Sequence, residues 1–70
     1  MLSLIFARNG EEHVIRRIGG KPETRRHLEH LGFVVGSEVS VINTMGGNLI
    51  VKIKESRVAI SREMAQKIMI

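Results

Sequence analysis

Two periodicities divide this chain of 70 residues. From Glu38 onward apolar residues recur at every second position. Val39 and Val41 share a face in Glu38–Met45, with Ser40 and Thr44 opposite, and Leu49, Val51 and Ile53 point one way while Lys52 and Lys54 point the other. Such alternation marks half-buried strands. Met45-Gly46-Gly47-Asn48 joins the two runs as a hairpin, because glycine tolerates the positive φ that tight turns require. Earlier, Asn9-Gly10 turns a strand over Leu2–Ala7 into a second over Glu12–Ile18. Arg57–Ile60 reads as a further short strand, Ser61 is placed to cap a helical turn running to Lys67, and Lys67–Ile70 alternates again.

The helical period appears once. Pro22, the only proline, suits the first helical position. Leu28 and Leu31 then fall on one face, Arg25, Arg26, Glu29 and His30 occupy the rest, and Gly32 supplies a left-handed stop. A helix with so narrow an apolar stripe covers a sheet and does not join a bundle. The sum is a mostly β fold of five to six short strands with one inserted α-helix and a short C-terminal helical turn. Closing it into a small barrel removes the exposed edges of so short a sheet. Residues 1–70 are expected to form a single domain.

Composition narrows the function classes. There is no cysteine, so disulfides and thiolate metal sites are excluded. Eleven Lys/Arg face seven acids, all of them glutamate, for a net charge of +4, which favours an acidic partner. Met1–Phe6 is too short for a signal segment and no run reaches the roughly 20 apolar residues of a transmembrane helix, so a cytoplasmic location without direct membrane insertion is expected.

Catalysis finds no support in the motifs. No serine stands in a nucleophile elbow, and Gly19-Gly20-Lys21-Pro22 loses a backbone donor to its proline, which spoils it as a phosphate cradle. The candidate metal ligands are His27 and His30, three apart on the helix with Glu23 one turn before. Neighbouring arginines repel a cation and two imidazoles need a third ligand, so no metal site and no cofactor are expected, with transient contact to Fe2+ or another divalent metal left open.

The basic residues gather more suggestively. Arg16 and Arg17 end one strand, Lys21 follows in the turn, and Arg25 and Arg26 open the helix. Packed side by side they make a docking rim for an acidic surface, partly offset by Glu23 and Glu29. The candidate partner-binding residues are Arg16, Arg17, Arg25, Arg26 and His30, with Phe33 and Val35 at the apolar centre. Nucleic acid is the natural rival of a basic barrel but is not expected, because only Phe6 and Phe33 could serve as stacking platforms and no helix-turn-helix is present. Proline-rich peptide binding lacks its aromatic groove. The apolar runs Ile5-Phe6 and Phe33-Val34-Val35, with Met64, Ile68, Met69 and Ile70, make homo-oligomerisation plausible.

The order Leu4-x-x-Ala7-x-x-Gly10, Val14 to Ile18, Arg26-x-Leu28-x-x-Leu31-Gly32, Gly36-x-x-Val39-x-Val41 and Val58-Ala59-Ile60 resembles the ferrous iron transport protein A (FeoA) family across nearly the whole chain. The resemblance implies an SH3-like barrel and a cytosolic accessory or regulatory protein of bacterial ferrous iron uptake. It implies action by protein–protein binding to the cytosolic region of the membrane transporter FeoB, not as an enzyme. The alternative is a metal-regulator-like domain or basic nucleic-acid-binding small barrel in transcription control, since the same fold serves several roles.

Overall fold

The alternating runs after Glu38 build the larger sheet of the computed structural model, which describes residues 1–70. Its strands are β1 (Glu12–Val14), β3 (Glu38–Met45), β4 (Asn48–Ile53) and β5 (Ser56–Ser61), in the order β1-β3-β4-β5 and antiparallel throughout. A second sheet pairs β2 (Arg17–Ile18) with β6 (Ile68–Met69). The helix α1 (Pro22–His30) lies between β2 and β3 in the chain, and α2 (Arg62–Ala65) precedes β6. The sheets do not run on as one closed ladder; hydrogen bonds at Ile15 tie the β1–β2 junction to the segment before β3, from Ile15 N to Ser37 O (2.9 Å) and from Gly36 N to Ile15 O (2.8 Å).

Three expectations need correction. Leu2–Ala7 is not a strand: its centre, Leu4–Phe6, is a 3-10 turn in which Phe6 N donates to Ser3 O and Ala7 N to Leu4 O, both at 3.0 Å. Ser3 starts the turn by accepting from Ile5 N with its own hydroxyl, the local competition with strand pairing that serine offers. Second, Glu12–Ile18 divides into β1 and β2, because Ile15 turns wholly into the core and Arg16 N already donates to Met69 O of the other sheet at 2.8 Å. Third, Thr44 does not face opposite Val39 and Val41. The ladder shifts between the Val41–Val51 and Asn43–Ile50 pairs, leaving Ile42 as an extra residue, and the bulge brings Thr44 opposite Leu49.

The remaining elements follow the pattern. Leu49, Val51 and Ile53 are buried and Lys52 and Lys54 are exposed. The β3–β4 turn uses Gly46 at φ +60°. Lys54 also adopts positive φ (+55°) in the two-residue turn to β5, where no glycine announced a hairpin. Ser61 caps α2 by accepting from Met64 N at 3.1 Å.

The end of α1 carries the most consequence. Gly32, at φ +106°, lets Gly32 N donate to Glu29 O (2.9 Å) and Phe33 N to Leu28 O (2.9 Å), the paired bonds of a Schellman stop. Both side chains flanking that stop, Leu28 and Phe33, are fully buried. They belong to a single cluster of 12 buried residues, all apolar, drawn from every layer of the fold. Met64 and Ile70 pack against this cluster and Ile68 lies inside it, so the C-terminal apolar residues serve the core. Leu28 is the only buried residue of α1. Leu28→Ala is therefore expected to cost about 3 kcal/mol of unfolding free energy, read from the denaturant midpoint. A loss below about 1 kcal/mol would show that the helix is anchored elsewhere.

Candidate functional site

Stopping α1 at Gly32 sends the chain back past its own helix, and a groove of about 440 Å³ opens between β2, α1 and Val34-Val35. Arg16 and Arg17 reach it from the β1–β2 end and Arg25 from α1. Ile18, Val34 and Val35 supply its apolar part, and Phe33 closes it from beneath. Val35 is 63% exposed and Val34 36%, whereas Phe33 is at 0%. Phe33 therefore offers a partner no surface, and the apolar centre passes to Val35 with Val34 and Ile18.

The residues singled out from the sequence separate accordingly. Arg16, Arg17, Arg25 and Val35 share this groove. Arg26 lines a smaller neighbouring depression of about 210 Å³ with Pro22, Arg25 and Glu29. His30 lines neither. Ile18 and Val34 were missed because a two-residue strand and a loop have no periodicity to assign them a face. Glu29, one helical turn after Arg25, lines both depressions.

The electrostatics of the groove rest on what its cations do not do. The one acid–base side-chain contact in the protein sets His13 Nε2 3.6 Å from Glu11 Oε1, an ion pair only when the imidazole is protonated, and no arginine side chain makes a hydrogen bond. Arg16, Arg17 and Arg25 are exposed and unpaired, so their charge stays available to an incoming anion. His27 and His30 are both exposed on α1, and no group of three or more His, Asp or Glu residues is assembled that would hold a metal ion.

A family model described as "FeoA domain" matches residues 2–70. The chain belongs to the FeoA family. It is 36% identical over 70 residues to a protein of Methanocaldococcus jannaschii named as a candidate Fe(2+) transport protein A, covering 100% of this chain and 85% of that one. The crystal structure of Stenotrophomonas maltophilia FeoA complexed with zinc, described as a prokaryotic SH3 domain protein, superposes with a TM-score of 0.84 at 23% identity. That match covers 99% of this chain and 88% of the other. A manganese-dependent transcriptional repressor gives a TM-score of 0.86 at 25% identity, over 94% of this chain but only 38% of the repressor. The fold is thus SH3-like, as the resemblance implied, and the FeoA family is associated with ferrous iron transport. No helix is long and apolar enough to cross a membrane.

A second depression of this FeoA domain, reached by the chain at Gly36 directly after Val35, has a different character. Glu12 and Glu38, diagonal neighbours across β1 and β3, share a trough of about 350 Å³ with Lys52, Lys54 and Glu55. A hydrogen bond with Glu12, then the repulsion of its charge and a smaller desolvation, hold the Glu38 carboxyl above its ordinary pKa. A carboxyl raised in this way favours the folded state while protonated, and that contribution fades as pH climbs through the raised value. Glu38→Gln is accordingly expected to raise the Tm at neutral pH and to flatten its decline between acidic and neutral pH. A variant that melts below the parent at neutral pH would show that the two carboxyls do not oppose each other.

Proposed function

We propose that this FeoA-family domain is a cytoplasmic accessory protein of ferrous iron uptake that acts by binding the cytosolic region of a FeoB-type transporter. The observation that carries the reading is the groove between β2 and α1, where three unpaired arginines flank exposed valines. A charged rim around an apolar centre accelerates encounter and fixes register, while the apolar contact supplies affinity. On this reading the effect on transport comes through binding. Differential affinity does this work: an accessory protein that prefers one nucleotide state of its partner shifts the partner's equilibrium by that preference and no more.

The match to one part of a manganese-dependent repressor favours a second reading, a domain serving metal-responsive transcription control. It is weaker because the 70 residues hold no helix-turn-helix and the groove has no accessible aromatic on which bases would stack.

Calorimetric titration into the cytosolic GTP-binding region of the cognate FeoB, with a GTP analogue and with GDP, tests the first reading. One-site binding that differs between nucleotides is expected. Arg25→Glu with Arg26→Glu should weaken it at least tenfold, roughly the effect of reversing charge at a steered interface, while the Tm stays close to the parent because both residues are exposed. Unchanged affinity of the double variant at physiological salt would place the contact elsewhere. Absence of binding in both states would favour the repressor-like role.

A further inference from the structure

We infer that the groove between β2, α1 and Val34-Val35 receives an extended acidic peptide segment, one aliphatic side chain of the segment seating against the valines and carboxylates on either side meeting the arginines. This rests on the docking role proposed above and adds the chemistry of the docked segment.

The cations of the groove are all arginine. Arg16, Arg17 and Arg25 line it, and the lysines Lys52 and Lys54 line the separate trough around Glu12 and Glu38. Guanidinium is a planar fork that holds a carboxylate through two parallel hydrogen bonds, whereas an ammonium attracts any anion as a point charge. None of the three guanidiniums is engaged within the chain, so a carboxylate has no internal rival to displace. The apolar part is purely aliphatic at its accessible surface, through Val34, Val35 and Ile18, while Phe33 lies beneath. That surface suits a leucine, isoleucine or valine. It gives nucleobases nothing to stack on and proline-rich helices no aromatic ridges.

Glu29 gives the groove a polarity. It is the only carboxylate in the lining and stands four residues beyond Arg25 on α1, farther than ion-pair distance from any cation. An acidic segment is attracted at the Arg16–Arg17 end and at Arg25, and repelled beside Glu29. Neutralising Glu29 should therefore tighten the complex, an effect opposite in sign to that of removing the arginines.

The test is an NMR titration of the isotope-labelled chain with a capped pentapeptide, a central leucine flanked by two glutamates on each side. Amide shifts are expected at Arg16–Ile18, Arg25–Glu29 and Val34–Val35. Replacing the peptide's glutamates with glutamines should weaken binding at least tenfold, and replacing its leucine with glycine about fivefold. Arg17→Glu with Arg25→Glu should abolish the shifts, Val35→Ser should reduce affinity severalfold, and Glu29→Gln should raise it. Lys52→Gln, in the second depression, should leave binding unchanged. All these positions are exposed, so each variant is checked for an unaltered Tm.

Equal binding of the glutamate and glutamine peptides, or shifts centred on Lys52–Lys54, would overturn the inference. So would tighter binding of an oligothymidylate at the same amides, which would make the groove a nucleic-acid surface. Concentration-dependent shifts at Val34–Val35 without peptide would also overturn it by naming a second copy of the chain as the occupant. If the transporter's cytosolic region binds but the peptide neither binds nor competes, the peptide slot falls and the docking role stands. If the peptide binds and the transporter region does not, the slot stands and its owner is another acidic protein.

Discussion

Everything around the groove depends on how the chain leaves α1. The bond from Phe33 N to Leu28 O at 2.9 Å, possible only because Gly32 takes a positive φ, ends the helix and reverses the backbone in one step. It turns Phe33 inward beside Leu28 and leaves Val34 and Val35 at the surface immediately afterwards. At the next residue Gly36 N donates to Ile15 O, and Ser37 O accepts from Ile15 N, so the returning chain is clasped to the junction of β1 and β2. A helix stop and a clasp thus bring a helix wall, a loop and a two-residue strand to one place. A β-branched residue at Gly32 would strain the backbone and loosen all three walls together.

The sequence made legible what periodicity and turn chemistry control. The hairpin from β3 to β4, the inward set Leu49, Val51 and Ile53, the Pro22 start and Gly32 stop of α1, and the Ser61 cap were all readable, because each rests on a local rule. What escaped was decided by tertiary pairing. The Ile42 bulge shifts register without a glycine, Lys54 adopts positive φ because its hairpin demands it, and the strand breaks at Ile15, where the doublets Val14-Ile15 and Arg16-Arg17 interrupt the alternation without saying which way the chain turns. The site divided in the same way. The arginines were visible as a charge cluster, but that Arg26 and His30 stand apart and that Ile18 and Val34 join in follows from the path after the helix stop.

The domain also separates its charges by kind. The arginines of the groove stand over aliphatic surface without partners, while on the sheet's outer side glutamates and lysines mix around the neighbouring Glu12 and Glu38 carboxyls. A +4 chain presents two faces that differ in what they attract, and only one joins cationic charge to accessible apolar area. That asymmetry is a stronger argument for a directed contact than the net charge, which any solvated surface can carry.

The first and last residues of the fold are bonded to each other. Leu2 N donates to Ile70 O at 3.1 Å, Ile70 N to Leu2 O at 2.7 Å, and Ser3 bridges Met69. A domain whose ends meet across one ladder rung occupies only a small gap in any polypeptide that hosts it. It can be spliced into a surface loop, or cut open elsewhere and rejoined at the old ends, with little disturbance to either partner. The geometry makes this module portable as a unit, a physical basis for finding the same fold both in small FeoA proteins and as a minor part of a longer repressor.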